Sequence, residues 1–329
     1  MSFRSPHTRL FATRAAIFVL GLLATLGSAE PAVAKGRRHY LAVRERAIAV
    51  YGKGGGPNIQ AQAAVVIDLT TGEILHAKNP DEVRPIASIS KLMATMVVLE
   101  HSLDLDASTA ITDGDLEIAR HGARSRLVKG MSFTNRDLLH AALMASDNRA
   151  VPALGRAVGL APEQLVAEMN KKAKALGLKH THFEDPVGLS TGNHSTPRDV
   201  AGMLKAATGV PLIAEITHKP TYVAHPVGKP GWAIEYTNTD VIARSSKWDV
   251  LVGKTGYTDV ALYCLAIAAR FAVQETKHDV AMVFLGAVGK MTRFGDFNRV
   301  AQWLSERRFA GRAAAAAPPP SPAAEKDGG

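Results

Sequence analysis

The chain has 329 residues, 47% hydrophobic and 21% charged, the balance of a globular protein with enough material for one large domain or two smaller ones. Its formal net charge is +9, but no Lys/Arg-rich block with interleaved aromatics appears; this argues against a nucleic-acid partner and leaves a basic surface suited to an anionic membrane or polymer. The single cysteine, Cys264, excludes an internal disulfide, and its apolar surroundings predict a buried structural thiol, not a nucleophile.

The N-terminus has the pattern of a signal peptide over residues 1–34. Arg4, Arg9 and Arg14 supply a positive region, residues 15–27 an apolar run, and Ala32-Val33-Ala34 a small-residue cleavage site. The run is too short for a comfortable membrane span, and export to the periplasm is the expectation. Residues 35–57 are basic and then glycine-rich, a mobile lead-in, and residues 310–329 form an Ala/Pro tail expected to be disordered. The folded catalytic domain is placed at 58–309.

Strand-like runs at 64–69 and 73–77, joined by Thr70-Thr71-Gly72, predict a hairpin. Pro85 precedes residues 86–99, apolar on nearly every face and therefore expected to be one buried helix. Thr134 with Asp137 makes a capping box for a helix over 135–145. Pro162 opens another helix closed by Gly177, and Thr196-Pro197-Arg198-Asp199 opens a third. Strand-like runs follow at 250–254, 262–271 and 279–288, then Phe297, Val300, Ala301 and Leu304 at helical spacing. Strands thus flank a block of helices, which predicts an α/β protein of the α+β type, with an antiparallel sheet drawn from both ends of the chain.

Three short motifs carry chemistry. In Ser88-Ile89-Ser90-Lys91, helical spacing puts Ser88 and Lys91 on one face, where a lysine with a lowered pKa can take the serine proton. Ser146-Asp147-Asn148 follows a helix end, where a serine can relay a proton and an asparagine can hold an amide. Lys254-Thr255-Gly256 closes a predicted strand, offering a cation, a hydroxyl donor and a close backbone approach. Singly, each has a plainer reading: a helix-start serine with a surface lysine, a helix stop, a strand-ending turn. Together and in this order they are far less expected by accident.

The set resembles that of the serine penicillin-binding proteins and β-lactamases. The likeness extends through Met144 to Ala150, Met169-Asn170, Thr181-His182-Phe183-Glu184-Asp185-Pro186-Val187-Gly188-Leu189, the stretch from Asn193 to Asp199, and Gly253 to Tyr257. It points to the low-molecular-mass D-alanyl-D-alanine peptidases, and within them to the penicillin-binding protein 7 type of endopeptidase, because only a Pro/Ala tail follows the final helix. The resemblance implies a DD-peptidase-like fold with a mostly helical subdomain and acyl transfer without a cofactor. It further implies peptidoglycan peptides as substrates and β-lactams as covalent inhibitors. Ser88 would be the nucleophile, Lys91 the general base, and Ser146 with Lys254 a proton relay to the departing amine. Asn148 and Thr255 would hold substrate beside Gly256. The backbone N–H groups of Ser88 and Tyr257 would form the oxyanion hole.

Four positions depart from the family pattern: Ser90 where threonine is frequent, Asp147 where glutamate is, Leu262 near an expected glycine, and Asp240 in place of the last asparagine of Asn-Thr-Asn. The competing readings are a carboxypeptidase trimming pentapeptide stems, a serine β-lactamase, a related esterase, a non-catalytic wall-binding module and a metal peptidase. There is no E-x-x-L-N loop between the second and third motifs and no H-E-x-x-H, and His180 and His182 beside Glu184 and Asp185 are expected to be solvated, so no metal is assigned. The basic charge suggests peripheral association with wall or membrane.

Overall fold

A computed structural model describes residues 55–273 and 276–308. The signal-peptide reading, most of the lead-in and the 310–329 tail lie outside these residues.

The hairpin forms as β1 (Ala63–Asp68) and β2 (Ile74–Lys78). The buried Asp68 side chain turns the corner by accepting the N–H groups of Thr70 (2.9 Å) and Thr71 (3.0 Å), and Gly72 takes a left-handed φ of 75°. The segment expected as one helix over 86–99 divides. Ala87–Ile89 is a 3₁₀ turn and α1 begins behind it, at Ser90–Glu100, because Ala87 stands at φ 48° and no helix passes through a left-handed residue. Every residue of α1 from Ser90 to Val98 is buried, as its all-round apolarity requires.

The Thr134 hydroxyl caps α2 (Asn135–Leu143) by accepting from the Asp137 N–H at 3.1 Å, and the helix ends two residues earlier than expected. The helices α3 (Ala150–Ala157) and α4 (Pro162–Ala175) follow, the latter closed by Gly177 at φ 73°. Thr196 caps α5 (Pro197–Thr208) as Thr134 caps α2, and α6 (Pro211–His218) comes next. The sequence patterns did not separate α6, nor the short hairpin Thr221–Ala224 with Ile234–Thr237.

Three long strands then appear, β3 (Asp249–Thr258), β4 (Leu262–Val273) and β5 (Thr276–Ala287), before the helix α7 (Thr292–Trp303). They complete a five-stranded sheet of order β2-β1-β5-β4-β3, antiparallel throughout, with β1 paired to β5 from Ala63 opposite Leu285 to Asp68 opposite Val280. Alternation sorts the side chains of β5 to two cores. Ala281, Val283 and Leu285 join the helical block on one face, while Val280, Met282 and Phe284 join α7 on the other. Both faces are covered, which is why these strands read as continuous apolar runs. Lys254-Thr255-Gly256 does not end its strand: the ladder continues through Gly256 opposite Cys264 to Thr258 opposite Leu262.

The N-terminal segment is tied to α7 by Asp296, which is fully buried and accepts the backbone N–H groups of Gln60 (2.7 Å) and Ala61 (2.8 Å). Removing that carboxylate strands two backbone donors. Asp296→Ala is expected to destabilise the fold by about 2–4 kcal/mol, read from the midpoint of urea unfolding.

Candidate active site

The three motifs meet where the helical block joins the edge strand β3. Ser88 lies in the 3₁₀ turn, and that turn is pressed between two glycines. A Cβ on Gly188 would come 2.0 Å from the Ala87 carbonyl oxygen, and one on Gly256 would come 2.8 Å from the Ile86 oxygen and 3.3 Å from the Ser88 nitrogen. The backbone of β3 therefore passes directly beside the Ser88 N–H.

Lys91, in the first turn of α1, is 0% exposed. Its Nζ donates to Ser88 Oγ at 2.8 Å, Asn148 Oδ1 at 2.7 Å and the Val187 carbonyl at 2.7 Å. Burial pulls its pKa down to about 7, against the opposing pull of Asp185 and Asp147. The geometry serves both protonation states. Asn148 and Val187 are fixed acceptors that hold two of its protons, so the third position, proton or lone pair, faces Ser88.

The second motif is a tight turn behind α2. Ser146 stands at φ 60°, and the Asp147 N–H donates back to the Ala141 carbonyl at 2.9 Å. Asp147 does not face the reacting groups; it accepts from the Ser125 hydroxyl at 2.8 Å and the Arg149 N–H at 3.0 Å, bracing the turn. Asn148 is kept in place by Gly122, where any Cβ would fall 2.0 Å from its Nδ2.

Lys254 on β3 is 1% exposed, and its Nζ donates to Ser146 Oγ and to the Thr255 carbonyl, both at 2.9 Å. Burial drives its pKa well below the ordinary lysine range; repulsion from Lys91 and Arg293 adds to this, and Asp240 opposes it. The Thr255 hydroxyl shares a hydrogen bond with Thr239 Oγ1 at 2.7 Å, which itself donates to the Met144 carbonyl at 3.1 Å. The Tyr257 ring is half-exposed, stacks on Tyr263 at 4.3 Å, and its hydroxyl donates to Asp259 at 2.7 Å. One chain of contacts thus runs from Ser88 through Lys91 to the Asn148 turn, and from Ser146 to Lys254.

Several contributors were not singled out as site residues in the sequence. Val187 enters through its carbonyl alone. Asp185 shapes that loop by accepting from the N–H groups of Val187 and Gly188 (both 2.6 Å) and Ser190 (2.5 Å), an Asx-type turn of which Asp-Pro-x-Gly was the only hint. Arg293 of α7 is buried and donates through one Nη1 to the carbonyls of Gly256 (2.8 Å) and Cys264 (3.0 Å). Cys264 is a buried free thiol pushed up to about 11 by burial, as its sequence context indicated.

The departures from the family pattern have definite places. Ser90 donates to the Ala87 carbonyl at 2.8 Å and accepts from Asn193 Nδ2 at 3.0 Å, so it braces the turn that carries Ser88. Leu262 stands at φ 58°, the conformation that a glycine adopts without strain. Asp240 is buried with its Oδ2 unpartnered, and burial pushes its pKa up to about 6. Among the described residues no group of three His, Cys, Asp or Glu side chains is arranged to hold a metal.

Comparison with known proteins identifies the family and the fold. Residues 52–289 match the family model described as D-alanyl-D-alanine carboxypeptidase. The chain is 37% identical over 242 residues to a D-alanyl-D-alanine endopeptidase of Pseudomonas aeruginosa, covering 74% of this chain and 76% of that one. It is 33% identical over 291 residues to a D-alanyl-D-alanine endopeptidase of Escherichia coli, covering 88% of each. The crystal structure of the Streptomyces K15 DD-transpeptidase superimposes with a TM-score of 0.68 at 27% identity, over 75% of this chain and 98% of that one.

The two glycines at the Ser88 turn give a direct test. Gly188→Ala puts a methyl group into the Ala87 carbonyl at a φ of 88°, whereas Gly72→Ala meets only backbone strain, with nothing within 4 Å. Gly188→Ala is expected to slow β-lactam labelling roughly a hundredfold and to lower Tm, and Gly72→Ala to cost about 1–2 kcal/mol with labelling unchanged. Stopped-flow labelling and thermal melts of both variants check this.

Proposed function

The chain belongs to the D-alanyl-D-alanine carboxypeptidase family of serine peptidases, and on that footing we propose that it is an exported endopeptidase cutting the D-alanyl cross-links of peptidoglycan peptides through an acyl-enzyme on Ser88. The observation that carries this is the buried Lys91 amine, 2.8 Å from the Ser88 hydroxyl and bonded to Asn148 of the second motif, whose Ser146 in turn accepts from Lys254 of the third. The endopeptidase form is supported by the two relatives bearing that name, matched across 76% and 88% of their lengths. Carboxypeptidase action on a free terminal D-alanine is the second reading, favoured by the family's description. Export rests on the N-terminal pattern of arginines, apolar run and A-x-A site.

The reaction follows from the placement of the groups. Neutral Lys91 accepts the Ser88 proton as Oγ attacks the carbonyl carbon of the D-alanine residue. Charge develops on the carbonyl oxygen, which the N–H groups of Ser88 and Tyr257 would meet; the close pass of Gly256 at Ser88 supports that pairing. Collapse breaks the C–N bond, and the proton that Lys91 took from Ser88 is passed on by way of Ser146, paired with Lys254, to the departing amine, which leaves Lys91 neutral again. Asn148 and Thr255 lie on either side to hold the peptide. Water then attacks the ester and restores Ser88. A β-lactam presents the same carbonyl but keeps its leaving group tethered, so the ester persists and the drug inhibits. The positive charge would keep the protein near anionic wall or membrane surfaces.

Intact mass after incubation with a β-lactam is expected to show one stable adduct, absent in Ser88→Ala. Rapid drug turnover without an adduct would make the protein a β-lactamase. A separated digest of cross-linked and linear wall peptides should show loss of cross-linked dimers, whereas removal of terminal D-alanine alone would establish the carboxypeptidase.

The lysine sets the pH dependence. Its amine must be neutral to accept the proton, so the acylation rate should rise with pH through about 7 and level off above it. Lys91→Arg, which cannot lose its proton, should lower acylation at least a hundredfold across that range, by stopped-flow assay.

A further inference from the structure

Between the short helix Asp113–Ile118 and the strand Ser132–Thr134, residues 119–131 form a strongly basic loop containing Arg120, Arg124, Arg126 and Lys129. Two of these cations are committed. Arg120 pairs with Glu117, and Lys129 with Asp113 at 2.6 Å. Arg124 and Arg126 have no carboxylate partner among the described residues, and together with Ser125 and Val128 they line an open hollow of about 550 Å³.

This loop is fastened to the second motif at three points. The Ser125 hydroxyl, between the two arginines, donates to Asp147 at 2.8 Å. Arg149 donates to the Leu127 carbonyl at 2.6 Å, with the Leu127 side chain buried in the core. Gly122 packs against the amide of Asn148 so closely that a Cβ would lie 2.0 Å away. The hollow is therefore fixed relative to Ser146 and Asn148. Arg126 is also held before any ligand arrives, with its guanidinium 4.6 Å above the Tyr236 ring.

Two arginines without a carboxylate partner lining one hollow suit a planar anion, because the guanidinium fork matches a carboxylate in a bidentate way that an ammonium does not. We infer that Arg124 and Arg126 form a subsite for a free side-branch carboxylate of the peptide held at Ser88, so that the protein selects stem peptides carrying a carboxylate near the cleaved bond over the same peptides as carboxamides. This rests on the peptidase reading above. The subsite is joined to the reacting groups only through the second-motif turn, and none of its lining residues is a member of the three motifs. Its contribution goes into holding the peptide, and its exposure to solvent makes it sensitive to salt.

The test uses the full chain carrying Ser88→Ala, which binds peptide without cleaving it, and two synthetic stem peptides differing only in a side-branch carboxylate or carboxamide. Calorimetry is expected to show the carboxylate peptide binding roughly tenfold more tightly at low ionic strength, with the gap closing as salt rises. Arg124→Gln with Arg126→Gln should abolish the gap while the carboxamide peptide binds as before. Arg124→Lys with Arg126→Lys should retain only part of it, and thermal melts establish that both variants are folded. Equal affinity of the parent protein for the two peptides overturns the subsite, as does a gap that survives the glutamine substitutions. The β-lactam adduct on Ser88 separates the two levels: an adduct without carboxylate selection removes the subsite alone, while no adduct removes the peptidase reading.

Discussion

The site depends on keeping two lysine amines buried in one cleft. An ammonium taken out of water costs several kcal/mol unless oxygens replace its hydration. Lys91 finds three such oxygens, on Ser88, Asn148 and Val187, contributed by three separate segments. Lys254 finds two, on Ser146 and its neighbour Thr255. Left-handed backbone occurs at Ala87 and at Ser146, beside or at the two serines whose hydroxyls accept from the amines. The same burial that makes the amines costly lowers their pKa values and makes Lys91 usable as a base near neutral pH.

What was legible in the sequence was mainly what is local. The β1–β2 corner, the threonine caps of α2 and α5 and the glycine closing α4 all follow from a few adjacent residues, and so do the three motifs. Where the reading failed, a distant group decided the outcome. The helix expected over 86–99 breaks at the left-handed Ala87, in a turn against which Gly188 and Gly256 pack closely, and neither glycine lies near it in sequence. Thr255-Gly256 looks like a strand ending but lies inside the β3 ladder, where glycine is required so that strand and turn can touch. Val187 was unreadable for another reason: it acts through a carbonyl, which every residue possesses. The missing glycine near the third motif also has a physical answer, because Leu262 occupies the left-handed conformation itself.

Arg293 joins the two halves of the molecule. It belongs to α7, on the face of the sheet away from the helical block, yet its guanidinium reaches the carbonyls of Gly256 and Cys264 on adjacent strands. It lies over Tyr263 at 5.3 Å, the residue on which Tyr257 stacks. The position of β3 at the nucleophile is thus set from behind by α7 as well as from the front by the Ser88 turn. Nothing in the spacing of Arg293 from the third motif announces this, because it is a matter of which layer the last helix covers.

The pairing of β1 with β5 also bears on the order in which the molecule can be assembled. Ala61 and its partner Asp296 are 235 positions apart, and β1 is a central strand whose second neighbour is nearly the last element made. A ribosome must therefore finish almost the whole chain before the sheet can close, and until then the β1–β2 hairpin has a bare hydrogen-bonding edge. Pairings of such long range are slow to form because the loop entropy is lost before any contact offsets it. The topology itself delays folding until nearly the whole chain is available. It also leaves an unpaired strand that, in a crowded compartment, would need shielding from its own kind.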